Sequence, residues 1–107
     1  MTVKTGDELV RALAALANPH RVRILAALAG DRVHVSQLAR DVRLGRPLVH
    51  MHLQRLEAAG LVTGQLELSE EGKAMKYFEV TPFDIRLTPA AIAAAAATLT
   101  PAEEGTR

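Results

Sequence analysis

The side chains able to do chemistry in this chain are mostly arginine and histidine, and they gather in one stretch. RPLVHMHLQRLEAAGLV, residues 46–62, holds Arg46, His50, His52, Gln54 and Arg55. These groups supply hydrogen-bond donors and positive charge. An arginine fork can span O6 and N7 of a guanine, a histidine can donate to N7 or to a phosphate, and Leu48 or Met51 can touch a thymine methyl. Other chemistries are poorly supplied. The chain has no cysteine, which removes thiolate catalysis, thiolate metal sites and disulfides in one step and is expected of a cytoplasmic protein. Only two serines are present, with no glycine-rich phosphate loop and no His–carboxylate pair brought together by local spacing, so no enzyme is expected.

The histidines do not read as a metal site either. His50 and His52, two apart on a helix, point roughly 200° away from each other, and chelation from one helix needs a spacing of three or four. His20 and His34 have no evident partners. No metal and no cofactor are expected.

The elements that must position these groups can be read from apolar spacing. The 107 residues are one domain's worth of chain, and with only three aromatics the core must be built from Leu, Val, Ile and Ala. DELVRALAALA (7–17) places Leu9, Val10, Leu13 and Leu16 at helical spacing. Asn18-Pro19 is a cap followed by a proline where a missing N–H costs nothing, opening a second helix with a buried stripe of Val22, Ile24 or Leu25, and Leu28. RVHV (32–35) predicts a single edge strand. Ser36 then caps a short third helix, QLARDV, and RLG (43–45) is a three-residue turn into a fourth helix that stops at Gly60.

After Gly60 the period changes from 3.6 to 2. LVTGQLELS and MKYFEVT predict two strands joined by EEGK, with Gly72 free to take positive φ. Pro82 ends the second strand. Thr88-Pro89 opens an alanine helix over 90–99, and Pro101 stops it. The predicted fold is mainly α with a small β-hairpin wing, a winged helix-turn-helix in the order α1-α2-(β1)-α3-α4-β2-β3-α5. Residues 1–100 form a single domain and 101–107 a disordered tail.

At LANPHRVRIL (16–25), VSQLARDV (35–42) and VHMHLQRLEAAGLV (49–62), followed by EEGK and KYFEV, the chain resembles the ArsR/SmtB-type winged helix regulators. The resemblance covers roughly residues 7 to 81. It implies a homodimer joined through the first and last helices, a fourth helix in the DNA major groove, and a repressor released by a metal or another signal. The family's thiolate metal site would fall on His34 and Ser36, where this chain has no thiolate. The family's other site needs His and carboxylate residues on the last helix, and AAIAAAAATL has neither. Metal sensing is therefore not expected, and the releasing signal is left to an unidentified small-molecule or protein effector.

A helical wheel over 46–60 sorts the recognition helix into two faces. Val49, Leu53 and Leu56 form the buried side, with His52 on its shoulder. Pro47, Met51, Gln54, Arg55 and Ala58 point the other way, flanked by Arg46 and His50 on one side and Leu48 on the other. The family's base-reading positions match Arg46, Pro47, Leu48, His50 and Met51, several of which are commonly small and polar in relatives. Gln54 and Arg55 complete the DNA-facing set on this helix. Ser36 and Gln37, at the start of the third helix, suit a phosphate. Arg43 adds charge from the turn, and Lys73 and Lys76 reach from a wing tip that also carries Glu70 and Glu71.

Residues 1–60 hold nine Lys/Arg against five Asp/Glu, while residues 61–107 hold four against seven. A basic N-terminal part fits an anionic partner. Double-stranded DNA is the expected partner, together with a second copy of the chain. That second copy would meet an apolar surface made by Leu9, Leu13, Leu16, Ile92, Ala96 and Leu99. The competing reading is a winged helix whose apolar outer face, Leu48 and Met51, binds another protein instead of DNA. No membrane association is expected, because the alanine run is about half the length of a span and MTVKTGDELV has no apolar leader core.

Overall fold

The computed structural model describes Val3 and residues 5–101. The tail expected over 101–107 lies outside them apart from Pro101. The elements are α1 (Gly6–Leu16), α2 (Pro19–Leu28), β1 (Val33–His34), α3 (Val35–Val42), α4 (Arg46–Ala58), β2 (Val62–Leu68), β3 (Ala74–Val80) and α5 (Pro89–Ala96). The predicted order holds throughout.

Most boundaries are set by short-range hydrogen bonds. The Asn18 carboxamide oxygen accepts from the His20 and Arg21 N–H groups at 2.8 and 3.3 Å, capping α2 behind Pro19. Thr88 Oγ1 accepts from the Ala91 N–H at 3.0 Å in the same manner. Thr5 does the same for α1, taking the Glu8 N–H at 3.1 Å. Each satisfies a donor that the first turn of a helix leaves without a partner.

The expected start of α3 is corrected. Ser36 is not the cap of α3. His34 is, its Nδ1 accepting from the Gln37 N–H at 3.3 Å, and Ser36 lies one residue inside the helix. The reason is geometric: His34 is the last extended residue, with φ −81° and ψ 156°, and only a residue in that conformation can turn its side chain back onto the first turn. The RLG turn spans 43–45 as expected. Arg43 takes the left-handed conformation at φ 59°, while Gly45 has φ −65°.

The core lies where α2, α3 and α4 meet the sheet. Ile24, Leu28, Leu38, Val49, Leu53, Leu56, Leu61, Val62 and Phe78 belong to one buried cluster. Of the alternatives on α2, both Ile24 and Leu25 are buried, whereas Val22 is exposed. Arg21 occupies the inward position that Val22 was expected to share. The sheet is antiparallel in the order β1-β3-β2, with Val33 opposite Phe78 and Val62 opposite Val80. β1 is an edge strand, as expected. The hairpin loop turns at Gly72 with φ 79°, a conformation that strains any residue bearing a Cβ.

α5 is shorter than expected. It closes at Ala96, and Thr98 and Leu99 continue as a turn with N–H bonds to Ala95 and Ala96. Thr98, not Pro101, finishes the helix. Its hydroxyl donates to the Ala95 carbonyl at 2.9 Å and accepts the Gly6 N–H at 2.7 Å. This locks the end of α5 onto the start of α1. A Cβ on Gly6 would collide with the Ala95 carbonyl and the Leu99 side chain, so the approach requires glycine there. Asp7 accepts from the Thr100 N–H and hydroxyl at the same seam. Those two bonds, side chain first, hold its carboxyl below the usual aspartate range.

Candidate nucleic-acid interface

α4 has one side committed to the core and one side free. Val49, His52, Leu53 and Leu56 are buried, while Arg46, Pro47, Leu48, His50, Met51, Gln54 and Arg55 are exposed. His52 is thus not on the shoulder, as the wheel suggested, but fully inside at 3% exposure. The wheel gives a direction only, and α2 packing across α4 closes over that flank. Leu48 and Met51, at 40% and 37% exposure, are large apolar side chains left on a helix whose inner face already has its quota.

The N-terminus of α4 looks across a cleft of about 650 Å³ to the inner face of the wing. Ser36, Arg46 and His50 line it from the helices, and Lys73 and Lys76 line it from the hairpin. Five of the expected DNA-facing residues therefore share one cavity. Glu70 and Glu71 also line it, so the wing tip is mixed in charge rather than uniformly basic. Lower on the wing, Lys76 sits 5.3 Å from the Phe78 ring centre, a cation–π contact that steadies its amine beside the cleft. On the opposite face of the sheet Arg32 forms an ion pair with Glu67 across β3 and lies 4.5 Å from the Tyr77 ring centre. That pairing offsets one acidic charge of the hairpin.

Two expected residues stand apart from this cleft. Gln37 is engaged within α3, its Nε2 donating to Asp41 and its Oε1 accepting from Arg40, both at 2.7 Å. Arg43 lines a separate depression of about 420 Å³, which includes His20, Arg23, Asp41 and Leu44. Its left-handed backbone carries its N–H to the Ala39 and Arg40 carbonyls, closing α3.

Of the lining residues that were not anticipated, two bear on the site. Leu66 faces the cleft at 70% exposure. Strand alternation carries the signal, since Val62, Gly64, Leu66 and Leu68 fall on one side of β2 and Val62 is core. The hairpin projects beyond the helices, so that same side becomes a cleft wall. His34 is the other, lining the cleft while it caps α3.

The opposite end of the molecule is apolar. Ile92, Ala96 and Leu99 are exposed and Leu13 is half-buried, whereas Leu9 is buried within the chain and Leu16 packs against the core. Val10, exposed at 55%, belongs to the same end. Among the described residues no helix is long and apolar enough to cross a membrane.

Comparison with known proteins agrees with this geometry. A profile described as "Bacterial regulatory protein, arsR family" matches residues 18–63, from the α2 cap to the start of β2. An uncharacterized HTH-type transcriptional regulator of Methanocaldococcus jannaschii is 37% identical over 76 residues, covering 71% of this chain and 79% of that protein. The HTH-type transcriptional repressor SmtB of Mycobacterium tuberculosis is 43% identical over 60 residues, covering 56% of this chain and 42% of SmtB. Among solved structures, a homodimeric winged helix-turn-helix DNA-binding domain from Mycobacterium bovis superposes with a TM-score of 0.63 at 28% identity, covering 69% of this chain and 64% of that one. With its winged helix-turn-helix fold and a cleft between recognition helix and wing, the chain belongs to the ArsR family and is a DNA-binding transcriptional regulator.

Proposed function

We propose that the chain is a homodimeric, site-specific repressor that lays α4 in the major groove and sets its wing against the adjoining phosphate backbone. The observation that carries this reading is the shared cleft. Ser36, Arg46, His50, Lys73 and Lys76 come from three separate elements, yet they line one cavity beside the free face of α4.

Within that frame each group has a role. Arg46 reads a guanine through its fork, a contact supplying ~1–3 kcal/mol of discrimination. Leu48 and Met51 fill space against thymine methyls. Gln54 and Arg55 extend the contact along the helix, and Pro47 holds its first turn. Lys73, Lys76 and Ser36 contact phosphates, which supply affinity and register rather than sequence information. Arg43 and Gln37 are peripheral, because one faces a different depression and the other is engaged inside α3.

The α1–α5 end supplies the dimer. An eight-residue alanine helix is too short to persist alone in water, and α5 buries no residue within its own chain. A second copy covering Ile92, Ala96, Leu99, Leu13 and Val10 would give that surface a partner. A two-fold dimer then calls for a palindromic operator with half-sites about one helical turn, or a small multiple, apart.

Fluorescence anisotropy tests the reading directly. The protein is titrated against the duplex upstream of its own gene and a scrambled control, at low and moderate salt. Tight binding that prefers the upstream duplex and weakens steeply with salt is expected, since each neutralised phosphate releases counterions. Arg46→Ala should relax the preference at one base per half-site. Binding to neither duplex would instead favour a protein partner on Leu48 and Met51, and Met51→Asp would then abolish that contact.

A further inference from the structure

We propose that His52 is a positioning residue for DNA reading: as a neutral imidazole it ties α4 to α1 and α2 through Arg21, and protonation releases that tie. The inference rests on the reading of α4 given above.

Arg21 is only 8% exposed and spans three helices. From α2 its Nε donates to the Ala15 carbonyl at 2.6 Å and its Nη2 to the Ala14 carbonyl at 3.5 Å. Both acceptors lie in the last turn of α1, where carbonyls have no partner within the helix and the dipole favours a cation. Its Nη1 reaches Nδ1 of His52 on α4 at 3.3 Å. A guanidinium can only donate, so Nδ1 must accept, and the single ring proton of His52 sits on Nε2. That Nε2 is buried, with no hydrogen-bond partner among the described residues.

A second proton has no place in this junction. It would put an N–H on Nδ1 directly against the guanidinium. The groups facing His52 are cations or potential cations: Arg21 and His20 from α2, whose His20 ring centre is 5.6 Å away, and Arg55 from its own helix. What α1 contributes to the junction is the pair of carbonyls already taken by Arg21. Burial first, then Arg21, His20 and Arg55, lowers the His52 pKa below its ordinary 6.5. A lowered folded-state pKa sets the sign. The tie is complete above about pH 6.5 and is lost as pH falls from there through the folded value.

The consequence reaches the cleft because α4 carries Arg46 and His50 on its outer face. Loosening α4 shifts both against Lys73 and Lys76 of the wing.

The test compares operator affinity and melting temperature of the wild-type protein and His52→Gln from about pH 7.5 to about pH 5. Glutamine can still accept from Arg21 but cannot titrate. Similar affinities are expected at neutral pH, with the wild type losing affinity several-fold more than the variant on acidification. Its melting temperature should fall further as well. His34 and His50 are present in both proteins and stand outside this junction. Parallel affinity profiles in proteins that do bind DNA would overturn the positioning role, whether or not the melting temperatures diverge. Absence of DNA binding by the wild type at neutral pH would overturn the reading of α4 itself, and the positioning role with it. Should His52→Gln fail to fold, imidazole nitrogen shifts of the wild type supply the second measurement. A proton taken up by His52 with no change in the amide signals of α1 and α4 would also overturn the proposal.

Discussion

α4 and α5 open alike, each with a proline in its first turn, and are held in opposite ways. α4 has no side-chain cap, since Gly45 stands at its N-cap, yet it buries Val49, His52, Leu53 and Leu56. α5 has a good cap from Thr88 and buries nothing within its own chain. α4 is therefore a helix made by tertiary packing, and α5 a helix made by local chemistry with its apolar surface still open. The contrast teaches what an exposed face means on each. On α4 the outer residues are spare and free to bind, because the inner face already secures the helix. On α5 the exposed Ile92 and Leu99 are the apolar part of the helix itself, which is why we assign them to a second copy.

The strongest way to break this comparison is Leu56→Ala. Removing a fully buried leucine should cost ~2–5 kcal/mol of stability, read by urea unfolding at fixed protein concentration. A loss below ~1 kcal/mol would mean that α4 is not held by its inner face. Next comes Ile92→Ala, which keeps helix propensity while removing apolar area. It should take ~1.5–3 kcal/mol per protomer out of association, raising the dimer dissociation constant at least about a hundredfold in sedimentation while leaving monomer unfolding little changed. Monomer destabilisation as large as that of Leu56→Ala would make α5 an ordinary core helix.

Thr88→Ala is expected to be milder, about 1 kcal/mol from the lost cap. Amide hydrogen exchange should show the loss concentrated in α5, and an even spread over the chain would contradict a helix made locally. The smallest effect belongs to the α1–α5 seam. Asp7 keeps its charge to unusually low pH through the two bonds from Thr100. Its contribution is complete above the ordinary aspartate value of 3.8 and disappears as pH falls below that through the folded value. Asp7→Asn should flatten this acid limb slightly. Because Asp7 is open to solvent, an equal acid limb in wild type and variant would show that Thr98 and Gly6 alone hold the seam.

Much of the fold was legible because its punctuation is local. Asn18-Pro19 and Thr88-Pro89 act within three residues of themselves, and Gly72 turns the hairpin where a Cβ would strain the backbone. The α3 start was misread for an instructive reason. Serine is the commoner cap, but the extended stretch already ends at His34 and Val35 is helical, so Ser36 lies inside the helix and His34 takes the role. The 43–45 turn stands where it was expected, with its left-handed position at Arg43.

The candidate site was legible as a set of residues and much less so as a place. Arg46, His50, Lys73 and Lys76 could be named from type and periodicity, since an exposed helix face and a hairpin tip are local properties. Leu66 had its signal in strand alternation and Gln37 in its i+3 and i+4 neighbours Arg40 and Asp41, but nothing local could say that Arg43 would line a separate depression. By itself, then, the sequence determined the order of elements, their caps and turns, and which face of α4 is apolar, because those depend on neighbours a few residues apart. Only the tertiary structure decided that Val22 is outside, that His52 is sealed against Arg21, and that helix and wing enclose one cleft. Each of those depends on which distant element arrives to cover a face, and a side chain's own type does not fix what will cover it.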